Sequence, residues 1–437
     1  MLVAGVDSST QSCKVVVVDP FTGNEVRSGR ASHPNGTHVN PRYWWAALQE
    51  AIDAAGGLAG VSAISIGGQQ HGLVALDEFG NVVRDALLWN DTRSAPQAQE
   101  LIEHFGADWL AAQTGSVPVA SFTSTKLLWV KQHEPELAAK IAAVCLPHDW
   151  LSWRLAGYGP EGDSPLGPDL SQLTTDASDA SGTGYYNSHT GEYIDQILDY
   201  VIGHRVILPK VLQINESVHS VVGMPGCKIG AGFGDNAGAA YGLALQPGDA
   251  VVSLGTSGTV FAVTPTATAD ASGTIAGFAA GDGEYLPLVC TLNAARVLDW
   301  AAGLLGVDHA RLSDLALQAE PGAGGLRLTP YFEGERTPNL PDATATLQGM
   351  TLANGTPANL ARAAIEGMLG GLNYGLHQLT AAGVQIKRIQ LVGGAAANRA
   401  VQVIAGQVFG VPVVVPEPGE YVARGAARQA AGLLDPA

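Results

Sequence analysis

The chain is poor in cysteine and has no long apolar run. Its 437 residues include four cysteines, Cys13, Cys145, Cys227 and Cys290, and none is spaced like a metal ligand pair or a CxxC motif. No apolar stretch approaches the roughly 18 residues of a membrane span, and no basic leader precedes the first apolar residues. We therefore expect reduced thiols, a cytoplasmic location and no membrane partner.

Positive charge is also scarce. Lysine and arginine total 23 against 40 acidic residues, which gives a net charge of −17 at pH 7. A chain with this balance repels polyanions, so nucleic acid is excluded as a broad partner. Any phosphate-bearing ligand has to be held by local donors.

The signature motifs of several enzyme classes are missing. The chain has no GxxxxGK[ST] loop, no GxGxxG after its first strand, no GxSxG elbow and no HExxH helix. These absences disfavour P-loop kinases, dinucleotide oxidoreductases and the common hydrolases. With 55 glycines and only 14% charged residues, the composition is typical of a tightly turned α/β enzyme.

Two stretches share one unusual plan. LVAGVDSSTQSCKVVVVDP at the start and AVVSLGTSGTVFAVTP past the midpoint each have an apolar strand, a turn of small hydroxyl residues and a second apolar strand. The polar turns are too short for a crossover helix, so both stretches predict antiparallel hairpins. We interpret the repetition as an internal duplication of an α/β half, with chance similarity as the alternative.

Turns of this kind direct backbone N–H groups and hydroxyls into one concavity, which suits an anion. Taken alone, an ordinary polar turn is the commoner interpretation. Asp7 beside an anion site is electrostatically unfavourable unless a divalent cation lies between them, so it suggests a metal-bound nucleotide. Lys14 either neutralises phosphate charge or is a strand-edge lysine.

Two further motifs follow buried strands. In GAGFGDNAG, Asp235 heads a helix, where it acts as an N-cap, as a base that accepts the proton of a hydroxyl attacking a γ-phosphate, or as both. In GGQQHG, Gln69, Gln70 and His71 suit the recognition of hydroxyl groups. A lone histidine is more often structural, and the Gly393-Gly394 turn in LVGGAAANRA is a weak nucleotide signal.

With both hairpins, GGQQHG, DNAG and VGGAAAN in this order, nearly the whole chain resembles the FGGY family of carbohydrate kinases, in the sugar kinase, Hsp70 and actin superfamily. STKLLWVKQHEPEL and YFEGERTPNLPDATATLQGMTL are similar to its signature regions. The resemblance implies an α/β, duplicated ribonuclease H-like fold of two domains with a cleft between them. The sugar-binding domain would span residues 1–244 and the ATP-binding domain residues 245–437.

GGQQHG together with LLWNDTR and GFGDNAG is most similar to members that act on D-xylulose. The resemblance thus implies transfer of the γ-phosphoryl group of ATP, with Mg²⁺, to the 5-hydroxyl of this small-molecule sugar, and a homodimer is the expected assembly. Carried over position by position, it implies Asp235 as general base and sugar contact, and Asp7 at the metal-bound phosphates. Further sugar contacts would be Gln70, His71 and Asn236. The first phosphate loop would contain Ser9 and Thr10 and the second Thr256, with Gly394 and Asn398 at the adenosine.

Three departures from the family pattern are visible: DSST in place of DxGT, GGAAAN in place of three glycines, and a short C-terminus with an insertion near residues 162–170. Two alternatives stay open. One is a nucleotide-dependent regulator of the same superfamily that transfers nothing. The other is a kinase of the same family for another pentulose, a pentitol or gluconate.

Overall fold

A computed structural model describes residues 1–434. The strands are, in chain order, β1 Leu2–Ser8, β2 Ser12–Val18, β3 Glu25–Ser32, β4 His38–Val39, β5 Val61–Gly68, β6 Val74–Leu76, β7 Ala86–Leu87, β8 Ala143–Cys145, β9 Thr174–Asp176, β10 Tyr186–Asn187, β11 Glu192–Tyr193, β12 Lys210–Leu212, β13 His219–Ser220, β14 Lys228–Ile229, β15 Phe233–Gly234, β16 Asp249–Leu254, β17 Gly258–Ala262, β18 Ala276–Ala279, β19 Tyr285–Thr291, β20 Arg327–Thr329, β21 Thr346–Gln348, β22 Arg388–Val392 and β23 Val413–Val414. The α-helices are α1 Arg42–Ala54, α2 Ala95–Phe105, α3 Ala107–Thr114, α4 Thr123–His133, α5 Pro135–Ala138, α6 Pro147–Leu155, α7 Ala177–Ser181, α8 Asp195–Val201, α9 Asp235–Gly242, α10 Ala295–Leu305, α11 His309–Gln318, α12 Pro357–Ala381, α13 Arg399–Phe409 and α14 Tyr421–Gly432.

Both predicted hairpins form, and each begins a sheet of the same plan. In the first half the strand order is β13-β14-β5-β1-β2-β3, and in the second it is β18-β19-β17-β16-β22-β23. In each sheet the hairpin pairs antiparallel with a third strand on one side and is followed on the other by two parallel strands. The duplicated α/β fold is confirmed.

The parallel register of the first sheet brings distant chain segments to one edge. Asp7 lies opposite Gly67, and Gly67 in turn lies opposite Phe233, so β1, β5 and β15 end side by side. Because the carboxyl ends of parallel strands share one edge of a sheet, the residues that follow them converge there. This edge therefore receives the GGQQHG loop and the start of α9.

The last helix, α14, packs on the sheet of the first half. Its Ala423 and Ala427 join a core cluster with Val3 and Val16. A Cβ on Gly5 would stand 1.9 Å from the Ala423 carbonyl oxygen, so the close approach of helix and strand requires glycine. α14 also packs along α9, and the C-terminal segment thereby supports the helix that Asp235 begins.

The apolar pattern of TSTKLLWVKQHEPELAAKIAAV predicts one helix over residues 123–144, and KIGAGFG predicts one strand over residues 228–234; both predictions were wrong. The helix ends at His133, because Pro135 lacks the backbone N–H that would continue it and instead begins α5. The strand is split into β14 and β15, and Gly232 between them has a φ of +88°. None of the helices within residues 1–434 has the length and apolarity needed to span a membrane.

Candidate active site

A cavity of about 220 Å³ lies between the two halves. The structure brings together in its wall the four residues predicted to contact the sugar. The lining residues are Gln70, His71, Trp89, Ser121, Phe122, Asp235 and Asn236 from the first half, and Thr259, Ala276, Phe278, Leu288, Cys290 and Arg336 from the second.

Asp235 is the first residue of α9, and Gly234 takes the cap position, without a capping bond from a side chain. The Asp235 Oδ1 accepts hydrogen bonds from the backbone N–H of Asn236 at 2.7 Å and from its Nδ2 at 2.9 Å. Burial raises the pKa of Asp235 from 3.8 to about 7, and Asp7 adds to the increase, whereas the Asn236 N–H opposes it. A carboxylate with this pKa is suited to accept a proton near neutral pH.

Asn236 and Gln70 form a short amide chain beside this carboxylate. The Nδ2 group of Asn236 donates to Gln70 Oε1 at 3.2 Å, and Gln70 Nε2 donates to the carbonyl of Ser178 at 3.2 Å. Because each amide is oriented by its neighbour, both present fixed polar atoms to the cavity.

The ring of His71 is held as a neutral hydrogen-bond acceptor. Its Nδ1 lies 2.6 Å from the carbonyl oxygen of Gly182, which only an N–H can face, so the Nε2 carries the lone pair. Burial, with a contribution from Lys126, lowers the pKa of His71 to about 3. The ring stacks on Phe122 with centroids 5.0 Å apart. Lys126 Nζ donates to the His71 carbonyl at 3.0 Å and thereby fixes a residue whose φ is +69°.

Asp7 lies near the end of β1, beside the first hairpin turn, which contains Ser9 and Thr10. The Oδ1 atom of Asp7 is buried and has no hydrogen-bond partner in residues 1–434, and burial raises the pKa of Asp7 to about 6 although Lys14 opposes this. Lys14 Nζ lies 3.5 Å from Asp7 Oδ2 and 2.6 Å from an oxygen of Glu420. An orphaned carboxylate oxygen in this position fits a divalent cation.

The turn itself is braced by its hydroxyls. Ser9 Oγ donates to the carbonyl of Ser12 at 3.0 Å, and Trp89 Nε1 donates to Thr10 Oγ1 at 2.8 Å. The Ser9 hydroxyl hydrogen is therefore used within the hairpin, whereas the Thr10 hydroxyl accepts from Trp89 and keeps its own hydrogen to donate. The predicted phosphate roles of Ser9, Thr10 and Lys14 stay predictions.

A second, larger cavity of about 710 Å³ lies in the second half. It brings together the three predicted nucleotide residues of that half, Thr256, Gly394 and Asn398. The hairpin of β16 and β17 serves both cavities, since Thr256 lines the larger one and Thr259 lines the smaller. At Gly393 a Cβ would stand 2.6 Å from the Leu254 carbonyl, so this turn packs tightly on β16.

Sequence reasoning missed several residues of the smaller cavity, above all Arg336. Glu335 holds the backbone here: its carboxylate accepts from the N–H of Leu292 at 2.6 Å, from that of Arg336 at 2.8 Å and from Asn293 Nδ2 at 3.0 Å. The guanidinium of Arg336 has no ion pair among the described residues. The available signal for Arg336 was its place in GERTP, within a stretch similar to a signature region of the family, but the residue itself was not singled out.

The chain is similar to known proteins over nearly its whole length. Models of the FGGY family of carbohydrate kinases match it twice, the N-terminal domain over residues 2–240 and the C-terminal domain over residues 250–433. The xylulose kinase of Streptomyces coelicolor is 46% identical over 446 residues, which cover 99% of this chain and 88% of that protein. The xylulose kinase of Escherichia coli is 32% identical over 411 residues, covering 90% and 81%.

Among solved structures, the crystal structure of xylulose kinase from Bifidobacterium adolescentis superposes with a TM-score of 0.94 and 48% sequence identity. The superposition covers 99% of this chain and 92% of that chain.

Proposed function

The chain belongs to the FGGY family of carbohydrate kinases, and we propose that it transfers the γ-phosphoryl group of ATP to the 5-hydroxyl of D-xylulose. The products are D-xylulose 5-phosphate and ADP. The observation that carries the proposal is the small polar cavity between the halves, with the carboxylate of Asp235 in its wall. The relatives named xylulose kinase, at up to 46% identity over the full chain, support the choice of sugar.

The sugar is bound chiefly by the first half. His71 Nε2 accepts a hydrogen bond from one hydroxyl, while Gln70 and Asn236 offer amide groups to others. Phe122 and Phe278, one from each half, give the cavity apolar walls that leave little room for water beside the sugar. Exclusion of water matters here because a water molecule in place of the hydroxyl would hydrolyse ATP.

Asp235 is the proposed general base. The sugar 5-oxygen attacks the γ-phosphorus, its proton passes to the Asp235 carboxylate, and the bond from the phosphorus to the bridging oxygen of ADP breaks. The second oxygen of the carboxylate, Oδ2, makes no hydrogen bond within residues 1–434, whereas Oδ1 accepts two. Oδ2 is therefore the atom available to the proton.

ATP is the phosphoryl donor of this kinase family, and the larger cavity with Thr256, Gly394 and Asn398 is the proposed adenosine side. The buried, unpartnered Oδ1 of Asp7 fits Mg²⁺, either directly or through water. Bound there, the ion would neutralise phosphate charge. Arg336 supplies a further unpaired cation at the sugar cavity.

The test is a coupled ADP-release screen with MgATP across pentuloses, hexuloses, pentitols and aldonates. The expected result is saturable release with D-xylulose. Release at an equal rate with every sugar, or with none present, would overturn sugar transfer and favour an ATPase. Saturable release with another pentulose, a pentitol or gluconate alone would overturn the choice of sugar and keep the reaction class.

A further inference from the structure

A buried cluster of charged side chains lies beside the sugar cavity. His148, in α6, is fully buried among three aspartates. Its Nδ1 lies 2.6 Å from Asp179 Oδ2, and its Nε2 lies 3.3 Å from Asp149 Oδ1 and 4.0 Å from Asp176 Oδ1. None of the four residues lines the sugar cavity.

The ring of His148 is an imidazolium. Its Nδ1 contacts the Asp179 carboxylate and its Nε2 contacts the carbonyl of Ala231 at 3.2 Å, and both of these groups are acceptors only. Both ring nitrogens must therefore carry a proton, and neither has a lone pair left for a metal ion. Burial by itself lowers the pKa of His148, but Asp149 and Asp179 outweigh it and raise the pKa to about 10.

Two of the three aspartates, Asp176 and Asp179, lie in a short stretch of chain, residues 176–182, that contains α7. Asp176 caps α7 by accepting from the backbone N–H of Ser178 at 2.8 Å and of Asp179 at 3.1 Å. The short bond between Asp179 and His148 then ties α7 to α6. Charge-assisted bonds of this length are among the stronger contacts in proteins.

This stretch contacts the sugar site at several points. The carbonyl of Ser178 accepts from Gln70, and the carbonyl of Gly182 accepts from the His71 ring. The hydroxyl of Ser178 accepts from the backbone N–H of Gly234, the residue before Asp235, at 3.0 Å. In the second half, the backbone N–H of Ala279, next to the cavity residue Phe278, donates to Ser181 Oγ at 3.0 Å.

We propose that the His148–Asp179 ion pair is a positioning device for the sugar site. It fixes residues 176–182, and these residues hold Gln70, His71 and the start of α9 in register with one another and with the second half. Neither residue lines the sugar cavity, so both are positioning residues. The inference rests on the proposed function, because it assigns the pair a part in sugar phosphorylation.

The chemistry of buried pairs gives the proposal a sharp test. Removing His148 leaves three buried aspartates without their cation, and removing the Asp179 carboxylate breaks the 2.6 Å ion pair that ties α7 to α6. Replacing both residues with neutral amides keeps a hydrogen bond at this place, the shape of the site and the net charge of the cluster. Single changes should therefore distort residues 176–182, and the double change should not. Residues that act as one unit show this kind of non-additivity.

The experiment compares His148→Gln, Asp179→Asn and the double variant. We expect each single variant to lower kcat/KM for D-xylulose about tenfold or more, chiefly through KM, and the double variant to recover to within about threefold of the unchanged protein. ADP affinity, measured by calorimetry, should stay unchanged in all three. The control is Lys210→Gln with Glu216→Gln, an ion pair of the same 2.6 Å length that is exposed; it should change nothing.

Hydrogen exchange measured on the same proteins gives a readout that does not depend on the sugar. In the single variants, the backbone amides of residues 68–72 and 233–238 should exchange faster, and those of residues 393–398 should exchange at an unchanged rate. If the unchanged protein does not phosphorylate D-xylulose, the proposed function is wrong. The exchange pattern would still decide the positioning role, because it is measured without the sugar. The positioning role is overturned if the single variants have the kinetics and exchange rates of the unchanged protein. It is also overturned if kcat/KM of the double variant is no higher than that of the single variants.

If the single variants do not fold, Ser178→Ala serves instead. This change removes the hydroxyl that accepts from Gly234 and keeps all four charged residues of the cluster in the chain. A several-fold loss in kcat/KM with unchanged ADP affinity supports the proposal, and kinetics equal to those of the unchanged protein contradict it.

Discussion

Replacing Asp235 by Asn removes the proposed base and changes little else. The side chain keeps its shape, and an amide oxygen in the place of Oδ1 can still accept the backbone N–H of Asn236, which lies 2.7 Å away. The amide cannot accept the proton of the sugar hydroxyl. General base catalysis contributes about 10²- to 10⁴-fold to a rate, so we expect kcat for D-xylulose to fall by about that factor, while ADP affinity remains.

The pH dependence makes this expectation specific. Since the pKa of Asp235 is raised from 3.8 to about 7, the base is protonated in acid, and kcat/KM of the unchanged protein should rise with pH through a midpoint near 7. The residual activity of the Asp235→Asn variant should lack this midpoint, because the amide does not titrate.

Stability should change in the opposite direction to activity. A carboxyl group whose pKa is higher in the folded state than in the unfolded state holds its proton more tightly in the folded state. Its contribution therefore lowers the free energy of unfolding as the pH rises from about 4 to 7. One pKa unit corresponds to about 1.36 kcal/mol, and water in the cavity screens part of the effect. Asp235→Asn should therefore raise the free energy of unfolding by roughly 1–4 kcal/mol above pH 7 and leave it nearly unchanged at about pH 4.

The assays are coupled ADP release over a range of pH and thermal unfolding at about pH 4 and 7.5. Asp53→Asn, an exposed aspartate in α1, is the control and should affect neither. The reasoning is refuted if Asp235→Asn retains activity within about threefold of the unchanged protein, or keeps the midpoint near 7.

Other variants test the remaining roles. His71→Phe should raise KM for D-xylulose about tenfold without changing ADP affinity, and because the pKa of His71 is about 3, KM in the unchanged protein should not follow the protonation of an ordinary histidine near pH 6.5; a KM that does would contradict the neutral ring. Asp7→Asn should weaken Mn²⁺ binding in the presence of ADP, measured by electron paramagnetic resonance, and chelation of the metal should stop transfer in the unchanged protein; Mn²⁺ binding equal to that of the unchanged protein counts against Asp7. Asn398→Ala should raise KM for ATP and also remove the cap of α13, at a cost of about 1 kcal/mol. Thr356→Ala, which removes the cap of α12, should lower stability similarly but leave KM for ATP unchanged; an equal rise in KM would show that lost stability alone explains the Asn398 result.

Much of the site could be predicted from short motifs. The hydroxyl turns between apolar strands specify hairpins, and Asp7 was named beside the first of them. The strand-ending GGQQHG and GFGDNAG place polar residues where strands end, so Gln70, His71 and Asp235 of the smaller cavity were named in advance. The failures were of two kinds. Pro135 overruled an apolar pattern that extended through it, and residues of the GERTP and STKLLW stretches, such as Arg336 and Lys126, carried no local sign of where they would lie.

The sequence by itself determined the local units of this protein, because a turn, a cap or an amphipathic strand depends on neighbours a few residues away. The tertiary structure decided what these units face. The parallel register of β1, β5 and β15 brings Asp7 and Asp235 to one edge, α14 returns to the first sheet, and His148 meets Asp179 across 31 residues. Such contacts depend on long-range packing that buries apolar faces against distant partners, and no window along the chain contains that information.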